Sequence, residues 1–379
     1  MVDYSQIPSA CYVLEEAKLR KNLELMAHVQ KEAGVDIILA FKGFAMWGAF
    51  PMVKQYLKGA TASSLNEAKL CHEEMGSLAH TYCVAYRENE LEDIAQLSSH
   101  LTFNSLSQVE LLGSKAKQYN PNLSIGIRVN PEQSDVTTDL YNPSSPKSRL
   151  GMTSAHFGDH LPEYVDGLHF HVLCESTSHA LEEVLMSMEE KFAPQLKEAK
   201  WVNMGGGHLM TRDGYDVDHL IKILKAFKEK WNVDVVLEPG SAVVWQTGDL
   251  VTTVLDIVEN GGVSTAIIDA SFTCHMPDCL EMPYRPTITG ASPQIIPGKH
   301  NYRIGGLSCL AGDFMETYSF NQPLQIGDQI IFEDMIHYTM VKTSTFNGVP
   351  HPSIGIWRED AHFDLLRSFG YEDYKGKLS

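Results

Sequence analysis

Short apolar runs alternate with longer stretches of helical periodicity over the first 240 residues. The most pronounced run is Val35-Asp36-Ile37-Ile38-Leu39-Ala40-Phe41-Lys42-Gly43, where five consecutive apolar residues lead to a lysine. Such a run reads as a strand buried on both faces, with Lys42 at its end. Strands of this kind are expected near residues 35, 60, 81, 101, 124, 168, 201 and 234. Helices are expected between them, over 15–33, 46–58, 65–76, 88–97, 107–118 and 180–195. A further helix carries Val217, Leu220, Ile221 and Leu224 in the i, i+3, i+4, i+7 pattern. A polar, proline-bearing loop covers 130–148. Strands alternating with helices demand parallel pairing, and eight of them point to a (β/α)8 TIM barrel. An open doubly wound sheet is the alternative.

Beyond Gly240 the helical period fades. Leu250–Val258, Ser264–Ile268, Tyr302–Ile304, Gln329–Phe332 and Ile336–Val341 read as strands, separated by turn signals such as Asn260-Gly261-Gly262 and Pro297-Gly298. The expected organisation is a barrel over 10–240 followed by an all-β domain over 241–379. Residues 1–9 are a candidate addition to the second domain, and the tail from Tyr371 to Ser379 reads as frayed.

Composition narrows the function classes. The chain has 379 residues, 44% of them apolar, which suffices for two cores. A net charge of −18 argues against nucleic acid and anionic membrane as partners and leaves room for a cationic substrate. No basic-then-apolar leader and no run of membrane-spanning length is present, and seven scattered cysteines fit reduced thiols, so a cytoplasmic protein is expected.

In a barrel the active site lies at the C-terminal ends of the strands. There stand Lys42, Asn104, Arg128, His171, Gly205-Gly206-Gly207 and Glu238. A lysine desolvated at a strand end suits Schiff-base chemistry with an aldehyde cofactor, although a lysine snorkelling to water explains that stretch taken alone. Three glycines before a helix offer backbone N–H groups to a phosphate, or form only a tight turn. Glu238 follows an apolar strand as a carboxylate able to hold a ring nitrogen protonated, or as a buried ion-pair partner. His169 and His171 share one strand face, as packed histidines or as ligands; no third group stands at metal spacing, so metal is disfavoured. An aldehyde-binding lysine, a phosphate turn and a ring-nitrogen carboxylate are together the needs of pyridoxal phosphate.

Ala40-Phe41-Lys42, Phe170-His171-Val172, Gly205-Gly206-Gly207, Glu238-Pro239-Gly240 and Cys309-Leu310-Ala311-Gly312-Asp313 resemble, in order, the motifs of the fold-type III pyridoxal-phosphate decarboxylases. His275-Met276-Pro277-Asp278 and Glu281 to Pro286 are most similar to the carboxynorspermidine/carboxyspermidine branch of that family. The resemblance implies that Lys42 bonds the cofactor and that His171 stacks on its ring. It assigns Gly205, Gly206, Gly207 and Tyr338 to the phosphate, Glu238 to the pyridine nitrogen, and Arg128 to the ring's neighbourhood. It implies a homodimer with shared active sites, in which Cys309 protonates the product carbon in the neighbouring subunit and Asp313 accompanies it. Asp269, Asp278, Asp313 and Glu238 become candidate contacts to a small-molecule carboxypolyamine substrate.

Two positions depart from the family pattern. Ser241 stands where relatives carry an arginine, so phosphate binding must lean on the glycines and other donors. Leu310 replaces the acidic residue found after the cysteine in ornithine and diaminopimelate enzymes, and an apolar residue suits the methylene chain of a longer polyamine. Competing expectations are a decarboxylase of diaminopimelate or a basic amino acid, a racemase of the same fold, and a non-enzymatic regulator. Glu238 argues against the racemase, whose family places arginine at the ring nitrogen; Lys42 and Cys309 together argue against the regulator.

Overall fold

In the computed structural model, which describes residues 2–136 and 142–379, the run from Asp36 to Ala40 is the stave that closes a parallel barrel. Asp36–Ile37 pairs with Asp234–Leu237 on one side, and Leu39–Ala40 pairs with Ala60–Ala62 on the other. Around the ring follow Ala79–Tyr82, Ser98–Phe103, Ser124–Arg128, Val165–His169 and Trp201–Asn203, all parallel. Of the loop expected over 130–148, residues 137–141 lie outside the described residues.

The chain divides into two units, one comprising 22–243 and the other 1–21 with 244–379. The expected barrel start at residue 10 is corrected: Cys11–Glu15 pairs antiparallel with Gly248–Asn260 and parallel with Ser353–Trp357, so it is a sheet strand. The helices between barrel strands begin at side-chain caps. Ser105 accepts from Gln108 N, Thr177 from Ala180 N, and Asp216 from His219 N, each satisfying a donor left open in the first turn. The helix Val217–Trp231 buries Leu220, Ile223, Leu224 and Phe227. Its inward stripe therefore lies further along than the expected one, and Val217 and Ile221 are only half-buried.

Period-two alternation sends one set of barrel residues inward. Here that set is polar and aromatic. Low in the barrel, Trp201 donates to Ser124 Oγ at 2.8 Å and meets His100 edge-on at 5.1 Å, while His100 stacks on His80 at 3.9 Å. The indole occupies volume left by two glycines: a Cβ at Gly167 would stand 2.2 Å from it, and one at Gly126 2.3 Å. Two residues further along the same strands stand Tyr82, Thr102, Arg128, His169 and Asn203. The barrel floor thus fixes which side chains reach its upper end.

In the sheet unit, Gly248–Asn260 is the long central strand, flanked by Cys11–Glu15, Val263–Ile268 and Gln329–Phe332. His300–Gly305 and Phe314–Phe320 form a hairpin whose loop carries Cys309. Two expectations are corrected. Ile336–Val341 is not a strand: Thr339 Oγ1 donates to the carbonyls of Met335 and His337, Tyr338 has φ 27°, and a 3-10 turn follows at Met340–Lys342. The tail is a helix, Tyr371–Leu378, in which Asp373 accepts from Gly370 N and pairs with Arg367 at 2.8 Å.

Gly167→Ala should lower stability by about 1–3 kcal/mol, because the indole beside it has no room to yield. Urea denaturation should show a lower midpoint, partly recovered when Trp201→Leu is added. An unchanged midpoint in the single variant would show that the floor is not packed this way.

Candidate active site

Lys42 leaves its strand at the mouth of the barrel, solvent-accessible yet closely surrounded by protein. Loss of surrounding water and the nearby Arg128 guanidinium lower its pKa from 10.5 to about 8, against the opposing pull of Glu238. Its Nζ lies 3.1 Å from Nε2 of His171. The other ring nitrogen, Nδ1, accepts the backbone N–H of Gly206 at 2.8 Å. A backbone N–H only donates, so Nδ1 is bare and the proton of neutral His171 sits on Nε2. Burial, then Lys42 and Arg128, hold the His171 pKa well below its ordinary value, which keeps it neutral. An Nε2–H group facing Lys42 favours an amine with a lone pair over an ammonium.

Arg128 is buried, and its Nη2 donates to the carbonyl of His171 at 2.9 Å. Its guanidinium lies 4.7 Å from the ring centre of Tyr82, whose hydroxyl donates to Asn104 Oδ1 at 2.8 Å. Arg128 therefore holds the backbone that carries His171.

Glu238 is buried at the end of its strand. Thr61 Oγ1 and Asn203 Nδ2 both donate to its Oε1 at 2.5 Å, and Oε2 faces His169 Nε2 at 3.5 Å. Burial alone would raise its pKa; the donors at His169, Thr61 and Asn203 outweigh it and bring the value down to about 2. Burial lowers the pKa of His169 in turn, against the pull of Glu238. We assign the charge to the carboxylate, because Thr61 and Asn203 stabilise it whatever the state of the imidazole.

The three-glycine turn is sterically obligatory. Gly205 and Gly207 have φ of 69° and 90°, and a Cβ on Gly207 would stand 2.2 Å from the Leu173 carbonyl. Two of the three N–H groups already have partners within the protein. Gly205 N–H is engaged by Asn203 Oδ1 at 2.9 Å and Gly206 N–H by His171, so the turn orients Asn203 and His171 as well as facing outward.

Lys42, Arg128, His171, Gly205 to Gly207 and Glu238 thus converge in the barrel unit; the other expected residues lie in the sheet unit. Cys309 is exposed, and its N–H donates to Asn347 Oδ1 at 2.8 Å. Asp313, expected as a substrate contact, anchors a loop: its carboxylate accepts from Ser271 Oγ and from the backbone of Phe272, Thr273 and Ser308. Asp269 accepts from Thr253 N at 2.8 Å, and burial raises its pKa. Asp278 pairs with Lys342 at 3.2 Å. Tyr338 sits in the turn that replaces the expected strand. Sequence reasoning missed Thr61, Asn203 and Tyr82. The available signal was spacing: Asn203 precedes Gly205 by two residues and so faces the same way.

The donor set suits pyridoxal phosphate: an amine of lowered pKa for the aldehyde, an anionic carboxylate for the ring nitrogen, and a turn with no side chains in the way. Comparison with known proteins points the same way. Residues 11–336 match the model of the pyridoxal-dependent decarboxylase family with its C-terminal sheet domain. The chain is 50% identical to carboxyaminopropylagmatine decarboxylase of Synechocystis sp., over 99% of this chain and 96% of that protein. It is 45% identical to carboxynorspermidine/carboxyspermidine decarboxylase of Campylobacter jejuni, over 98% of each. The crystal structure of Campylobacter jejuni carboxynorspermidine decarboxylase complexed with norspermidine superposes with a TM-score of 0.91 at 42% identity, covering 98% of this chain and all of that one. The chain belongs to the pyridoxal-dependent decarboxylases, and its cofactor is pyridoxal phosphate.

Proposed function

We propose that this enzyme removes the α-carboxylate of a carboxylated polyamine, carboxynorspermidine or carboxyspermidine, to give norspermidine or spermidine. The observation that carries decarboxylation is the Glu238 carboxylate, kept anionic by His169, Thr61 and Asn203. When bound, pyridoxal phosphate supplies a sink for the electron pair left as carbon dioxide departs. Glu238 would hold the proton on the ring nitrogen and so keep that sink effective. Lys42 would hold the aldehyde carbon, His171 would lie against the ring, and the Gly205–Gly207 turn with Tyr338 would take the phosphate. Arg128 positions His171 through its carbonyl.

For the substrate, the support is the relatives named above together with the residues themselves. Asp278 already faces a cation, the Lys342 ammonium, which is the type of group a polyamine would present. Leu310 is half-exposed and offers an apolar contact to a methylene chain. The 50% identity to the Synechocystis sp. protein favours a second reading, carboxyaminopropylagmatine, in which the distal cation is a guanidinium. Turnover of purified holoenzyme on both carboxypolyamines, carboxyaminopropylagmatine, diaminopimelate, ornithine and arginine decides. The proposal expects kcat/KM for a carboxypolyamine at least about tenfold above the rest, roughly 1.4 kcal/mol in transition-state binding. Preference for the guanidinium substrate would replace it with the second reading, and preference for diaminopimelate would overturn both.

The finer reading includes a cytoplasmic homodimer, in which Cys309 of one subunit returns the proton at the other's site. Among the described residues no helix is long and apolar enough to cross a membrane. Mixing inactive Lys42→Ala and Cys309→Ala proteins should then restore about a quarter of parental activity. About half of the randomly reassorted dimers are mixed, and each has one intact site. No recovery in dimers shown to have exchanged would contradict the shared site.

A further inference from the structure

The helices Ser178–Glu198 and Val217–Trp231 pack against each other on the barrel unit. Their first turns bring together His179, Glu182 and His219, with one ligating atom of each within 4.8 Å of the others. The two imidazoles stack with centroids 4.2 Å apart and an interplanar angle of 23°. His219 Nε2 lies 3.3 Å from Glu182 Oε2, and His179 Nε2 lies 3.8 Å from Asp216 Oδ2. None of these side chains takes part in the site described above.

The cluster is held in place from behind. His219 Nδ1 is 3.0 Å from the Oγ of Ser178, a fully buried residue, which fixes the ring and turns Nε2 toward Glu182. A hydrogen bond to the second nitrogen is how metal-binding histidines are ordinarily oriented. Asp216 Oδ1 accepts His219 N–H at 2.9 Å, which leaves Oδ2 directed at His179. Two ligand atoms on a tetrahedral zinc ion stand about 3.3 Å apart, the separation already present between His219 and Glu182. Two imidazoles with carboxylates suit a zinc-class cation; magnesium and calcium require more oxygen ligands.

We propose that His179, Glu182 and His219 form a binding site for a divalent transition-metal cation that clamps the two helices, with the remaining coordination position left to water. Zn²⁺ titrated calorimetrically into chelator-treated, dialysed holoenzyme should bind at one ion per chain and raise the unfolding temperature. His179→Ala and His219→Ala should each abolish that binding and leave decarboxylation unchanged. Ser178→Ala removes no ligand and should weaken binding about tenfold or more. His179 is exposed, so its variant carries the test should His219→Ala fail to fold. Absence of stoichiometric Zn²⁺ binding, or binding that persists in His179→Ala, would overturn the proposal.

Discussion

The hydrogen bond from Gly206 N–H to His171 Nδ1 is the constraint on which the barrel mouth depends. It fixes the tautomer, and the tautomer decides that an N–H rather than a lone pair faces Lys42. Gly205 and Gly207, at φ of 69° and 90°, shape the turn that brings the Gly206 amide to Nδ1. Arg128 completes the arrangement from the other side by holding the His171 carbonyl. Lys42 then faces a neutral imidazole, and the loss of water to the protein packed around it, together with the Arg128 guanidinium, favours the amine over the ammonium against the pull of Glu238.

Glu238 is the counterpart with the opposite sign. Burial would neutralise a carboxylate, yet the contact to His169 and the two donors that converge on Oε1 keep it charged. Asn203 links the two halves of the site, since its amide nitrogen serves Glu238 and its oxygen holds Gly205 N–H. One turn of backbone therefore couples an amine poised as a nucleophile to an anion poised as a ring-nitrogen partner. The polar filling of the barrel has the same origin: residues that share parity with Arg128, His171 and Asn203 occupy the interior below them.

Much of this arrangement is legible in the chain itself. The eight staves follow from apolar runs, and at or just past their ends stand Lys42, Arg128, His171 and Glu238, because function concentrates at strand ends. What sequence does not disclose is which donors are already engaged. Gly205 and Gly206 look like open phosphate donors until the positions of Asn203 and His171 are known. Nor does the sequence show that the backbone of Phe272, Thr273 and Ser308 converges on the Asp313 carboxylate. Ile336–Val341 has strand composition, yet a side-chain hydroxyl competing for carbonyls turns the chain there. The start of the barrel is misjudged for a related reason: strand pairing across more than two hundred residues assigns Cys11–Glu15 to the other unit.

The central claim is that the barrel mouth delivers Lys42 as an amine. A pKa lowered from 10.5 to about 8 leaves the group charged below that pH and neutral above it. Near pH 7 the neutral fraction exceeds that of an ordinary lysine by about 300-fold. The most direct measurement is the rate at which apoenzyme takes up pyridoxal phosphate as a function of pH, followed by absorbance. The rate should rise with a midpoint near 8. A midpoint near the ordinary lysine value would show that Gly206, His171 and Arg128 do not set the state of Lys42.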